Sequence, residues 1–69
     1  MNTRIMQAIA VAKALEVYAR TGHKVNTSYT PGNMMKVAKE LTGQEFQPRE
    51  YTRAASALRT WATNEHNRL

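Results

Sequence analysis

The stretch Pro48-Arg49-Glu50-Tyr51-Thr52-Arg53-Ala54-Ala55-Ser56-Ala57-Leu58-Arg59-Thr60-Trp61-Ala62-Thr63-Asn64 decides how the chain is read. At 100° per residue, Tyr51, Ala54, Ala55, Leu58, Trp61 and Ala62 fall on one side of a helix. Arg49, Arg53, Ser56, Thr60 and Thr63 fall on the other, with Arg59 at the edge. An apolar stripe backed by arginines and short hydroxyl side chains predicts an amphipathic helix over 48–64, opened by Pro48, and residues 65–69 are expected to form a frayed tail.

Two more segments carry the same period. In the first, Ala8, Val11, Ala12, Leu15, Tyr18 and Ala19 form the stripe, with Ile5 and Ile9 beside it and Lys13, Glu16 and Arg20 mostly opposite. This helix is expected near 3–21, capped by Asn2 or Thr3 and ended at Gly22, with Glu16 and Arg20 as an i,i+4 pair. Residues 23–33 have the composition of an ordered loop, which Val25 and Tyr29 are expected to pin to the core. Thr30-Pro31 is a start signal, because threonine can accept from first-turn amides and proline gives up only an amide that had no partner. The second helix then spans 31–42 and stops at Gly43. It buries Met34, Val37, Ala38 and Leu41 and exposes Lys36, Lys39 and Glu40, with Lys36 and Glu40 spaced to pair. The short link Gly43-Gln44-Glu45-Phe46-Gln47 should make the second and third helices neighbours, with Phe46 plugging the corner.

The expected fold is therefore all-α, a compact three-helix domain made of residues 1–69. Ten alanines, dense in the first and third helices, let these helices approach closely, and Leu15, Leu41, Phe46, Leu58 and Trp61 should fill the rest of the core. A chain of 69 residues has room for one small domain. It contains no cysteine, so disulfides and cysteine-ligated metals are ruled out and helix packing must supply the stability. No apolar run approaches a membrane span and no signal-peptide core is evident, so a cytoplasmic protein without a membrane partner is expected.

The inventory argues against an enzyme and against any cofactor or metal. Its two histidines, His23 and His66, fall in the loop and the tail, there is no aspartate, and the five glutamates show no metal-ligand spacing. Gly22, Gly32 and Gly43 serve as helix punctuation and form no phosphate loop.

What remains is charge. Ten Lys and Arg against five Glu give +5, and the third helix concentrates guanidinium groups beside hydroxyls. Arginine can hold phosphate or the O6/N7 edge of guanine bidentately, and short hydroxyl side chains allow close approach to a nucleic acid. Arg49, Arg53, Ser56, Arg59 and Thr60 are the candidate contacts, extended by Lys36 and Lys39 if both helices present one side. Double-stranded DNA ranks ahead of RNA as the partner, and the helix order is that of a helix-turn-helix unit, although the 43–48 corner is longer than is usual there. Aromatic residues do not interleave with basic ones on an exposed face, which counts against single strands. The competing expectation is a protein-interaction module or inhibitor acting on a host or partner protein, or a homodimer, through Ile5, Met6, Ile9, Val17 and Met35. In size and composition the chain is similar to accessory proteins of bacteriophages and other mobile elements, which act by either route.

Overall fold

The computed structural model describes residues 3–23 and 29–68, and these form three helices. They are α1 (Thr3–Thr21), α2 (Pro31–Thr42) and α3 (Tyr51–Arg68). Val25, Asn2 and Leu69 lie outside the described residues.

The first two helices end by the same local chemistry. Thr21 Oγ1 donates to the Val17 carbonyl (2.9 Å) and accepts from the His23 amide (3.1 Å), while the Gly22 amide bonds the Tyr18 carbonyl (2.8 Å). Thr42 repeats the arrangement with Ala38 (2.7 Å) and the Gln44 amide (3.2 Å), and the Gly43 amide bonds the Lys39 carbonyl (2.9 Å). Each threonine hydroxyl thus adds a bond to the carbonyl four residues back and accepts from a departing amide, and a left-handed residue follows. Gly43 sits at φ +72°, with nothing near the position a Cβ would take. The objection to a side chain there is purely conformational, so Gly43→Ala is expected to cost about 1–2 kcal/mol, read as a lower thermal midpoint with helix content unchanged before the melt. The start of α2 is as expected: Thr30 Oγ1 accepts from the Asn33 amide (3.2 Å) and Pro31 takes the first helical position.

The third helix departs from the 48–64 expectation at both ends. Pro48 opens a turn instead of the helix: the Glu50 amide bonds the Gln47 carbonyl (3.1 Å) and Arg49 has φ +76°. That is the pattern of a type II turn, with proline at its second position and a left-handed residue at its third. Glu50 then caps the turn, its Oε1 accepting from the Gln47 amide (2.6 Å) and from Arg53 Nη1 (3.1 Å). At the other end α3 runs on through Arg68, where Arg68 Nη1 bonds Glu65 Oε1 (3.1 Å), so residues 65–68 are helical where a tail was expected.

Helix α1 packs most extensively on α3. Tyr18 near the end of α1 meets Tyr51 at the start of α3 edge to face (centroids 5.1 Å, 85°), whereas Ile5 and Ile9 lie against Ala62 and His66, so the two helices are antiparallel. The connection between α2 and α3 is not a corner. Residues 43–50 run back along α2: Glu45 reaches Lys39 (3.4 Å), and Phe46 and Gln47 share a groove with Gly32, Met35 and Lys36. Consequently α3 sets off beside the first turn of α2, where Pro31, Met35 and Tyr51 line one hollow. Because this strap returns the chain to the start of α2, the tight helix-turn-helix corner is not built.

Among the described residues the core contains twelve buried hydrophobic side chains, of which seven are alanine, so the backbones lie close together. Ile5, Val11, Leu15, Met34 and Leu58 are its largest fully buried members. Leu41, Phe46 and Trp61, expected to fill the centre, are half-buried at its rim, as are Tyr18, Met35, Val37 and Tyr51. Ala19, placed on the α1 stripe, is exposed, and Ala14 is buried in its stead. No described helix is long and apolar enough to cross a membrane.

Candidate nucleic-acid interface

The seven basic and hydroxyl residues expected to act together are distributed by the fold over three places. Arg53, Ser56 and Thr60 line one open groove of about 780 Å³ with Thr42, Gln44, Thr52, Ala57, Trp61 and Asn64. Its long wall is α3, and its opposite wall is the end of α2 with the first residues of the strap. None of the lining residues is acidic. Thr52, Ser56, Thr60 and Asn64 recur every fourth residue, which aligns them along one side of α3. Thr52, Asn64 and the groove's far wall are not among the candidates that the sequence offers, although the four-residue spacing of Thr52, Ser56, Thr60 and Asn64 is a signal it carries.

Arg53 stands at the mouth of this groove. Its guanidinium lies 5.4 Å from the Phe46 ring centroid and gives one N–H to Glu50. A guanidinium has five N–H donors in a planar fork, so this contact fixes its direction and leaves donors for a ligand.

Across Phe46 lie Lys36 and Lys39, beside the strap. Lys39 pairs with Glu45 at 3.4 Å, with both side chains well exposed, which screens the attraction strongly. Arg49 belongs to the strap itself, at its turn, in the hollow with Phe46, Pro48 and Tyr51. It does not lie on α3 as expected, because the turn precedes the helix. A left-handed arginine is strained by its Cβ, so Arg49→Gly is expected to be more stable than Arg49→Ala by about 1 kcal/mol in a thermal melt. Equal midpoints would show that no such strain exists.

Arg59 is committed elsewhere. Its Nε and Nη2 donate to Glu16 Oε2 (2.9 Å) and Oε1 (2.8 Å), a bidentate pair that ties α3 to α1. The i,i+4 partner expected for Glu16 was Arg20; in the structure the carboxylate is instead held by Arg59 across the α1–α3 seam, where the planar guanidinium fork matches both of its oxygens. The Arg59 hydrogen bonds lower the Glu16 carboxyl below its ordinary value against a smaller opposing effect of burial, and the Arg59 and Arg20 charges add to the lowering. The same hydrogen bonds raise the Arg59 guanidinium. A carboxyl lowered on folding contributes stability above its unfolded pKa and loses it as pH falls through the folded one. The clasp should therefore weaken below about pH 4.3. Glu16→Gln should remove that part of the acid sensitivity at a cost below about 1 kcal/mol, since both side chains are more than a third exposed. Unchanged acid melts in the variant would exclude the clasp as a source of stability.

The apolar interface candidates separate as well. Ile5 is 1% exposed and belongs to the core, which corrects its placement on an outer surface; on α1 it faces α3 one turn before Ile9. Val17 and Met35 are half-buried, whereas Met6 (57%) and Ile9 (40%) are exposed. Ile9 borders a second groove, of about 280 Å³, with Ile5, Arg59, Ala62, Thr63 and His66. Among the described residues no cluster of acidic or histidine side chains could hold a metal ion.

The chain matches no protein-family model, and no curated protein and no solved structure is significantly similar to it, so the interface is read from its own geometry.

Proposed function

We propose that the protein binds double-stranded DNA through the face where α3 and the strap meet, using Arg53, Ser56 and Thr60 with Lys36, Lys39 and Arg49. The observation that carries this reading is the acid-free groove, whose hydroxyl and amide groups sit next to four cations gathered around Phe46. Hydroxyls, amides and guanidinium groups are the usual donors to phosphate oxygens. Glu45 and Glu50 offset part of the charge, and Arg59 is held by Glu16, so the face suits backbone contact better than base readout through a bare arginine row.

Two or three phosphate contacts correspond to a slope of log affinity on log salt of about −2 to −3, or roughly a 10- to 40-fold loss between 50 and 200 mM salt. Fluorescence anisotropy of a labelled random duplex at several salt concentrations measures this directly. Lys39→Ala and Arg53→Ala should each weaken binding and reduce the slope by about one, whereas Lys13→Ala on α1 should change neither. A salt-independent or absent signal overturns the reading.

A second reading, docking of a partner protein, draws on Met6 and Ile9, the exposed large hydrophobic side chains of α1. Met6→Asp should then abolish a stoichiometric complex, with a stability change within about 0.5 kcal/mol.

A further inference from the structure

Building on the DNA reading, we infer that the groove along α3 receives an unpaired base, stacked on Trp61, from a DNA duplex that carries a bulged nucleotide. Three features of the groove point there. First, it is concave. A helix that reads an intact major groove must protrude, but the polar side of α3 is walled along part of its length by Thr42 and Gln44. Such a slot fits a nucleotide turned out of the stack. Second, the lining is of mixed donor and acceptor character: threonine and serine hydroxyls at 52, 56 and 60, and the Gln44 and Asn64 amides, whereas the Thr42 hydroxyl is spent on the end of α2. An unpaired base exposes a Watson–Crick edge that needs both kinds of partner, whereas a phosphate needs donors alone. Third, Trp61 is half-buried and lines the groove, the one aromatic residue to do so, while Arg53 marks the end where the adjoining phosphates would lie.

The energetics favour a base that is already unpaired. Extruding a base from an intact duplex costs its pairing and stacking, but a bulged base has little of either to lose. Stacking on an aromatic side chain then adds to the phosphate contacts of the paired flanks, which come from the lysines and arginines around the strap.

Trp61 is the only tryptophan in the chain, so its fluorescence reports on the groove without labelling. Three duplexes of the same flanking sequence separate the contributions: fully paired, with a single bulged thymidine, and with an abasic bulge that bends the backbone but offers no base. The bulged duplex is expected to bind about tenfold tighter than the other two and to quench Trp61. Asn64→Ala should reduce that preference. Salt-sensitive binding of all three with equal affinity and no quenching overturns this inference but leaves the duplex-binding reading intact. A preference for both bulges over the paired duplex, with no quenching, also overturns it, since bending alone would then explain it. No binding of any duplex overturns both.

Discussion

Leu58→Ala is expected to lower the thermal midpoint by about 15–25 °C, the largest effect of any single substitution considered for this chain. Leu58 is 0% exposed in the middle of α3, in one cluster with Leu15, Met34 and the buried alanines. Removing three carbons there forfeits their transfer from water and leaves a cavity, together about 3–4 kcal/mol. Collapse around the hole is limited, because seven of the eleven other buried residues described in this cluster are alanines that have no side chain to swing inward. Against a total stability of roughly 3–10 kcal/mol for a chain of this length, that loss is a large fraction. Each kcal/mol corresponds to about 4–8 °C in so small a domain. Far-UV circular dichroism melts measure the shift, with Leu41→Ala, half-buried at the end of α2, as the milder comparison. A drop of less than about 5 °C for Leu58→Ala would mean that α3 does not pack as described.

The number and order of the helices were legible because their signals are local. Thr30-Pro31 and Gly43 bracket α2 with residues whose conformational preferences act within one turn, and the structure places the helix between them. Pro48 misled for an equally local reason. A fixed φ near −65° suits the first position of a helix and the second position of a type II turn alike. The distinguishing event is the left-handed conformation of Arg49, a residue that sequence preference assigns to neither role. That one turn moved the start of α3 to Tyr51, took Arg49 off the helix, and released residues 43–50 to lie along α2 as a strap.

Legibility of the candidate interface followed the same division. Ser56, Thr60 and Arg53 were placed on one side of α3 by helical spacing, and they do share a groove. Arg59, at the edge of that spacing, turned out to serve α1, since its partner Glu16 is 43 residues away and no local rule selects it over Arg20. Trp61 was assigned to the core by the same spacing and is half-buried, with the remainder lining the groove. A helical wheel gives the direction of a side chain but not how far the neighbouring helix covers it, and here the end of α2 covers only part of α3.

Coverage of the opposite kind produces the second large expected effect. Ala12 is 0% exposed in α1 and shares the core with Ala8, Ala54 and Ala55, small residues that bring α1 and α3 close together. Ala12→Leu adds three carbons where none fit, so either the helices separate, exposing Leu15 and Leu58, or the leucine adopts a strained rotamer. Either response costs typically 1–3 kcal/mol and more where the backbone cannot move. The bidentate Arg59–Glu16 clasp opposes separation, because its 2.8 and 2.9 Å contacts tolerate little spreading. Ala10→Leu supplies the control: Ala10 is exposed on the same helix, and alanine and leucine differ little in helix propensity. The expected outcome is a fall of about 10–20 °C for Ala12→Leu with Ala10→Leu near the parent. If the two variants melt together, α1 and α3 do not meet through alanine and the antiparallel pairing drawn from Tyr18–Tyr51 and Glu16–Arg59 is wrong. If only Ala12→Leu falls and Glu16→Gln partly restores it, the clasp is what holds the helices too close for a leucine.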